Sequence, residues 1–389
     1  MPRRSVRQPC PHCGAFNTKR HSILVLKKVT LHGVTPHGVQ RWYCKDCCRA
    51  FTPERPPSET TRYTLDVHEK AVMLYFDQGS AYRAVARELQ RMGVARITPE
   101  QCWKMVQALA GNCKAPWEVS LELKPRWSGF IGVDADHVQV ASHWEAPMLG
   151  VDIGTLDIPH LILAEREDAE TWLFYFLVLK AVGYPFRGIV SDGDPSIWSA
   201  AQLVCPGVPH QLCVKHFLDD LHRYLRYRSS HGRGTWRILE RFENMAHGCL
   251  YALTLPEVRM RLAMIQVDPD FRRIQLHDGI GMIERNFTAL TQHFACPGLP
   301  RTNNVTEGTI RKLDRRLTPM DGFASHQSAW NVLKMLTLHT RFRRLTDCRQ
   351  PHRHRNGHNP LQLAGIDTRQ LHWIRFGQKP RRTMEETAL

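Results

Sequence analysis

Two pairs of cysteines stand out first: Cys10-Pro-His-Cys13 and Cys44-Lys-Asp-Cys47. A Cys-x2-Cys knuckle turns two thiolates toward one ion, and two knuckles some thirty residues apart complete a tetrahedron. The spacing therefore predicts a zinc ribbon with Cys10, Cys13, Cys44 and Cys47 as ligands. Cys48 is adjacent and could compete, whereas His12 and His21 are poorer placed. A segment of this size buries too little apolar surface to fold well without its metal. Three acids form the second constellation. Asp134 interrupts the apolar strand FIGVDADHV, Asp192 ends the apolar run RGIVSD just before Gly193, and Glu307 lies near a helix start in TNNVTEGTIRKL. A carboxylate at the C-terminal tip of a strand sits where open α/β sheets place their ligands. Three such carboxylates can hold a pair of Mg²⁺ (or Mn²⁺) ions for phosphodiester chemistry, since hard cations take oxygen donors. Taken singly, each acid reads equally as a turn residue or helix cap. Asp136, two residues on and on the same strand face, competes for the first position; Asp194 is a loop neighbour of the second.

Cations surround the third acid. Arg301, Arg311, Lys312, Arg315 and Arg316 bracket Glu307, and positions 308, 311, 312, 315 and 316 share one helix face. That face is a candidate track for DNA phosphates; the plain alternative is a solvated amphipathic surface. Cys213 and His216 lie one helical turn apart and either share a metal or pack at the base of the sheet. Trp198 is a core residue or a stacking platform for a base.

The elements that must position these groups are readable in outline. SILVLKKVTLHG and VQRWYC alternate as strands, with Gly33 and Gly38 as turn signals. Pro53, Pro56, Pro57 and Ser58 form a linker. VHEKAVMLYFDQG then has helical period, followed by a helix, a turn at Gly93, and a second helix started by Thr98-Pro99-Glu100. This predicts a helix-turn-helix, a pattern that any small helical bundle would also show. From Trp127 onward strands come first and then alternate with helices, which argues for an α/β domain with a mixed sheet. Residues 222–295 are helical in period, and the His/Arg-rich stretch from Arg349, RQPHRHRNGHNP, has no period at all.

Composition bounds the function. The chain has 389 residues, a formal net charge of +16 and 42% hydrophobic residues. This predicts two or three domains with a real core and excludes a small disulfide-stapled module or an acidic disordered tail. No apolar run is long enough to span a membrane, and the basic start MPRRSVRQPC lacks the apolar stretch of a signal peptide, so a cytoplasmic protein with reduced thiols is expected. The charge is uneven. Residues 1–56 carry 11 bases against 2 acids and residues 341–389 carry 11 against 4, leaving the middle neutral. Basic ends around a balanced centre suit a nucleic-acid binder, or else solubilising tails.

Order and wording together carry a resemblance. The strand VDADHVQV, the EDAETWLF run at Glu167–Phe174 and IVSDG appear in sequence. They are followed by His210-Gln211-x-Cys213-x2-His216 and Thr302-Asn303-Asn304-x2-Glu307. From Asp134 to about Leu336, roughly half the chain, this resembles the catalytic domain of Mutator-type (MULE-like) insertion-sequence DDE transposases. The resemblance implies an RNase H-like, retroviral-integrase-like fold with a helical insertion, and catalytic, magnesium-holding roles for Asp134, Asp192 and Glu307. It also implies that an N-terminal ribbon and helix-turn-helix recognise element ends. The expected organisation is a zinc ribbon (1–56), a helix-turn-helix domain (57–118), an RNase H-like DDE catalytic domain (127–345, insertion about 218–296) and a basic tail (346–389). The expected function is a nucleoid-associated DNA transposase, a Mg-dependent polynucleotidyl transferase that acts as a homo-oligomer on double-stranded element ends and target DNA. The alternatives are a catalytically inert DNA-binding regulator derived from a transposase, and a nuclease using the same fold.

Overall fold

A computed structural model describes residues 8–53, 62–232 and 236–380. Pro56, Pro57 and Ser58 of the expected linker, the basic residues before Gln8 and the end of the expected tail lie outside them. The chain separates into two compact units, one formed by 8–113 with 378–380 and the other by 114–377.

The first unit begins with an antiparallel sheet of three strands, β1 (Thr18–Thr30), β2 (Gly33–Cys44) and β3 (Ala50–Phe51), in that order. Trp42 and Phe51 pack with Cys10 and Cys44 beneath the cysteine knuckles. Only Gly33 borders the hairpin turn. Gly38, expected to mark a turn, is paired with Val25 inside β2, where a Cβ would come within 2.9 Å of the Ile23 side chain. Three helices follow: α1 (Leu65–Phe76), α2 (Tyr82–Arg91) and α3 (Pro99–Gly111). Val67, Val72, Val85, Leu89, Met105 and Val106 bury their shared faces. The start of α3 is set as its sequence dictates: Thr98 Oγ1 accepts from Gln101 N, the Gln101 side chain accepts from Thr98 N, and Pro99 occupies the first turn. Two orphan amides are thereby satisfied, a contribution of about 1 kcal/mol.

The second unit is built on a mixed sheet. After α4 (Pro116–Leu123) come β4 (Phe130–Ala135), β5 (Val138–Val140), β6 (His143–Asp152) and β7 (Leu161–Ala164). Then α5 (Ala169–Ala181), β8 (Gly188–Ser191), α6 (Pro195–Val204) and β9 (His210–Leu212) follow. The lateral order is β5-β6-β4-β8-β9, with β7 also on β6. β4, β6 and β7 pair antiparallel, whereas β8 and β9 join β4 in parallel, each reached through a helix. This is the mixed α/β, RNase H-like arrangement implied by the resemblance. Trp172, Tyr175, Phe176 and Leu179 of α5 and Ile197 and Ala201 of α6 pack on Ile131, Val133, Met148 and Ile189 of the sheet.

Among the described residues six helices interrupt the domain: α7 (Val214–Ser230), α8 (Trp236–Leu250), α9 (Leu255–Val267), α10 (Pro269–Arg273), α11 (His277–Arg285) and α12 (Phe287–Ala295). They enclose an apolar cluster around Leu221, Leu225, Phe242, Val258, Phe271 and Ile283. Where the excursion leaves and rejoins the sheet its ends touch, with Val214 N donating to Arg301 O at 3.2 Å. Helix α13 (Asn304–Leu317) and α14 (His326–Phe342) complete the unit. The expected basic tail instead takes regular structure: after a 3-10 turn at Arg353–Arg355 in its His/Arg-rich stretch, the chain continues through α15 (Pro360–Leu363) and α16 (Trp373–Phe376), burying Leu361 and Ile374. Asn359 caps α15 by accepting from Gln362 N at 2.8 Å, and the two apolar anchors pack a segment whose average composition reads as loop.

Candidate active site and cysteine centre

The sheet brings the two aspartates to one edge. Phe130 to Val133 of β4 are buried, and Asp134 is the first residue of that strand to emerge. β8 runs parallel beside it with Gly132 opposite Val190, so Asp192, just past the last residue of β8, comes level with Asp134. Glu307 arrives from α13, whose first turn is pressed onto β4. A Cβ at Gly132 would lie 2.1 Å from Thr306 Oγ1 and 2.3 Å from Asn303 Oδ1, so only glycine permits that approach. Asn303, fully buried, fixes the contact by donating from Nδ2 to Val133 O at 2.9 Å and to Asp134 Oδ2 at 3.5 Å. Its own carbonyl accepts from Glu307 N.

Electrostatics record the convergence. Burial, then the charge of Asp192, then that of Glu307 push the Asp134 carboxyl up from 3.8 to about 7, against a partial offset from His216. Asp192 is also raised, chiefly by burial, with the Asp194 N–H and His216 opposing. Cations at the start of α7 face the third acid: Lys215 Nζ lies 2.6 Å from Glu307 Oε2 and His216 Nε2 lies 3.7 Å from Oε1. His216 is raised to about 9 by its bond to Cys213, against burial, with Glu307 and Asp134 adding to the effect. A shell of polar contacts supports Asp192. Trp198 Nε1 donates to its carbonyl at 2.9 Å, and the indole stacks on His210 with centroids 3.7 Å apart. Ser191 Oγ meets His210 Nε2 at 2.8 Å. That stacking gives Trp198 a structural partner and covers one face of the ring considered for a base.

The neighbouring acids take other partners. Asp136 follows the end of β4 and faces Asp314 of α13, whose carboxyl is raised to about 7 by burial and by Asp136. Asp194 caps α6 by accepting from Ser196 N at 2.6 Å. Among the cations, Arg311, Lys312 and Arg315 stand exposed on α13; Lys312 Nζ is 3.5 Å from Asp347. Arg316 is half-buried on the same helix. Arg301 is engaged within the protein. It donates to Ala252 O and His293 Nε2 and lies over the Tyr251 ring, so its guanidinium ties the insertion to the sheet.

In the first unit the four predicted cysteines converge, their sulfurs all within 4.8 Å of one another. Cys10 to Cys47 and Cys13 to Cys44 are each 3.6 Å apart, close to the roughly 3.8 Å edge of a tetrahedron with 2.3 Å zinc–sulfur bonds. Desolvation raises the Cys10 thiol, but the N–H groups of His12 and Cys13, together with the Cys47 and Cys13 side chains, outweigh it and lower the group to about 7. The donor set fits zinc. Cys48 takes a left-handed backbone conformation and turns its sulfur to Lys45 O, outside the cluster.

Lys215 and Asn303 were missed as partners of the carboxylates. Each stands inside a run already singled out, yet its target is 92 and 169 residues away in sequence.

Residues 58–244 match the model of the family described as Transposase, Mutator family. No curated protein matches the chain. Among solved structures, the chain is similar to the HTLV-2 integrase catalytic core domain in complex with magnesium (dimeric form). Identity is 16% over 33% of this chain and 88% of that one, with a TM-score of 0.20. It is likewise similar to a simian T-cell lymphotropic virus intasome in complex with a PP2A regulatory subunit B56 gamma, at 13% identity over 47% and 69% and a TM-score of 0.20. Scores this small add nothing to the strand order described above. The match of 58–244 takes in both aspartates and the Cys213–His216 pair and ends before Glu307. Over residues 58–244, just under half of its length, this chain is similar to the Mutator family of transposases.

Proposed function

We propose that this protein is a DNA transposase that cleaves phosphodiesters at element ends and joins the freed 3′-hydroxyl to target DNA. The observation that carries the reading is the strand register that sets Asp134 level with Asp192 at the C-terminal end of β4 and β8, where burial, the Asp192 charge and a smaller contribution from Glu307 lift Asp134 to about 7. Carboxyl groups crowded at such a cost call for a divalent counter-charge, and an all-oxygen set suits Mg²⁺ or Mn²⁺. Glu307 Oε1, buried with no hydrogen-bond partner among the described residues, fits that demand. Asp134, Asp192 and Glu307 would hold the metal; when bound, such ions activate a water or hydroxyl and stabilise the leaving oxygen.

The rest is the work of the chain's own groups. Lys215 neutralises Glu307 until the acid is needed elsewhere. Asn303 keeps Asp134 and the start of α13 in register. Arg311, Lys312, Arg315 and Arg316 offer a phosphate track along α13, and the zinc ribbon with the helix pair α2–α3 recognises the element end. Two ends must be held together, so the active form is an assembly of several copies. Among the described residues no helix is long and apolar enough to cross a membrane.

The test compares the wild type with Asp192→Asn on cognate end DNA in Mg²⁺. DNA binding persists in the variant and nicking falls at least about a thousandfold, as expected when a metal-holding oxygen is lost. Undiminished nicking by Asp192→Asn removes that residue from the metal site. Wild type that binds but never nicks favours the inert regulator. Joining of a labelled 3′ end to a plasmid separates transposase from nuclease.

A further inference from the structure

We propose a second metal site, for a thiophilic transition ion of the zinc class, formed by Cys213, His216 and Glu307 beside the carboxylate pair. The inference rests in part on the reading above, because Glu307 is common to both sites. A thiolate sulfur, an imidazole nitrogen and a carboxylate oxygen from these residues all lie within 4.8 Å of one another. Zinc bonds of about 2.0–2.3 Å in a tetrahedron place donors roughly 3.3–3.8 Å apart, so small side-chain adjustments close the site. Three protein ligands leave a fourth position open.

The scaffold is rigid. Cys213 is the residue before α7 and His216 lies within its first turn, so the two share a helix face, while Glu307 comes from the first turn of α13. Cys213 is fully buried, and its sulfur receives the N–H of Asn303 at 3.3 Å, the kind of donor that steadies a metal-bound thiolate. Two further atoms point to a missing partner: Glu307 Oε1 and His216 Nδ1 are buried and have no hydrogen-bond partner among the described residues.

Ligand softness decides which ion goes where. Mg²⁺ does not choose a thiolate, whereas Zn²⁺ binds sulfur and imidazole readily. Glu307 thus stands between two claimants, a hard site with Asp134 and Asp192 and a soft one with Cys213 and His216. An ion in the soft site draws Glu307 from the hard one and acts as a brake on cleavage.

The test uses the full chain with its ribbon zinc in place, titrated with Co²⁺. Wild type takes up one further equivalent and develops thiolate-to-cobalt charge-transfer absorption. Cys213→Ser abolishes that band, and His216→Gln, which leaves the thiol untouched, weakens cobalt binding about tenfold or more; circular dichroism checks that both variants are folded. Absence of the band in wild type overturns the site, as does a band of equal strength in Cys213→Ser. Zn²⁺ added to a Mg²⁺ nicking reaction slows wild type and leaves Cys213→Ser about tenfold less sensitive. Equal sensitivity of the two proteins overturns the competition for Glu307. Should nicking itself be absent, the transposase reading fails while the cobalt titration still decides the metal site.

Discussion

The second unit holds two sets of acids, one fully buried and one half-buried, treated in opposite ways. On the side away from the proposed metal site, Asp152 accepts from the amides of Ser128, Gly129 and Thr155, from the hydroxyls of Ser128 and Thr155, and from Tyr184. Asp157 receives two bonds of 2.8 Å from Arg341 and one from Trp127. At the sheet edge Asp134 has a single amide, that of Ala135, and a long contact to Asn303, and it faces other acids. Satisfied carboxylates hold the fold together, and unsatisfied ones store repulsion that the proposed cation would relieve.

The largest way to break this contrast is Arg341→Met. It strands Asp157 without its counter-charge in a fully buried site and should cost about 3–5 kcal/mol of stability, read by chemical denaturation. The opposite sign is expected at the edge. A carboxyl whose folded pKa is raised from 3.8 to about 7 destabilises once ionised: the penalty is absent below pH ~4, grows as pH rises through ~7, and is complete above it. Asp134→Asn should therefore stabilise the metal-free protein at pH 8 by on the order of 2 kcal/mol, allowing for partial solvent access, and do nothing at pH 4. Thermal melts at the two pH values check the sign, and saturating Mg²⁺ should reverse it.

These two behaviours were unequally legible in the sequence. Asp134 and Asp192 each interrupt or end an apolar run, which marks them at once, and the cysteine knuckles announce themselves by spacing alone. Thr98 and Pro99 show a helix start because capping is local. The tie from Asn303 to Asp134 and the pair Asp157–Arg341 join residues 169 and 184 apart, and no local rule reaches so far. Gly38 was misjudged because glycine signals either a turn or a close side-chain approach, and only the partner strand says which. Arg301 read as one cation among five until the rings beside it were in place.

Two smaller tests sharpen the comparison at the edge itself. Asn303→Ala removes the tie that aligns Asp134 with α13, so the Mg²⁺ concentration for half-maximal nicking should rise about tenfold with DNA affinity unchanged. Replacing Lys312 by Ala should leave chemistry intact and reduce the slope of log affinity against log salt by about one, if its ammonium contacts a phosphate.

The touching ends of the helical excursion, Val214 against Arg301, carry a consequence for ancestry and engineering alike. Whatever is spliced between those points must leave and return through the same doorway and keep the partners that Gln211 and Arg301 find at Leu290, His293 and Ala252, but the length beyond those contacts can drift without disturbing the neighbouring strands. The six helices are in that sense a replaceable cartridge, and a chimera carrying another protein's cartridge beyond the first turn of α7 should still assemble the same edge.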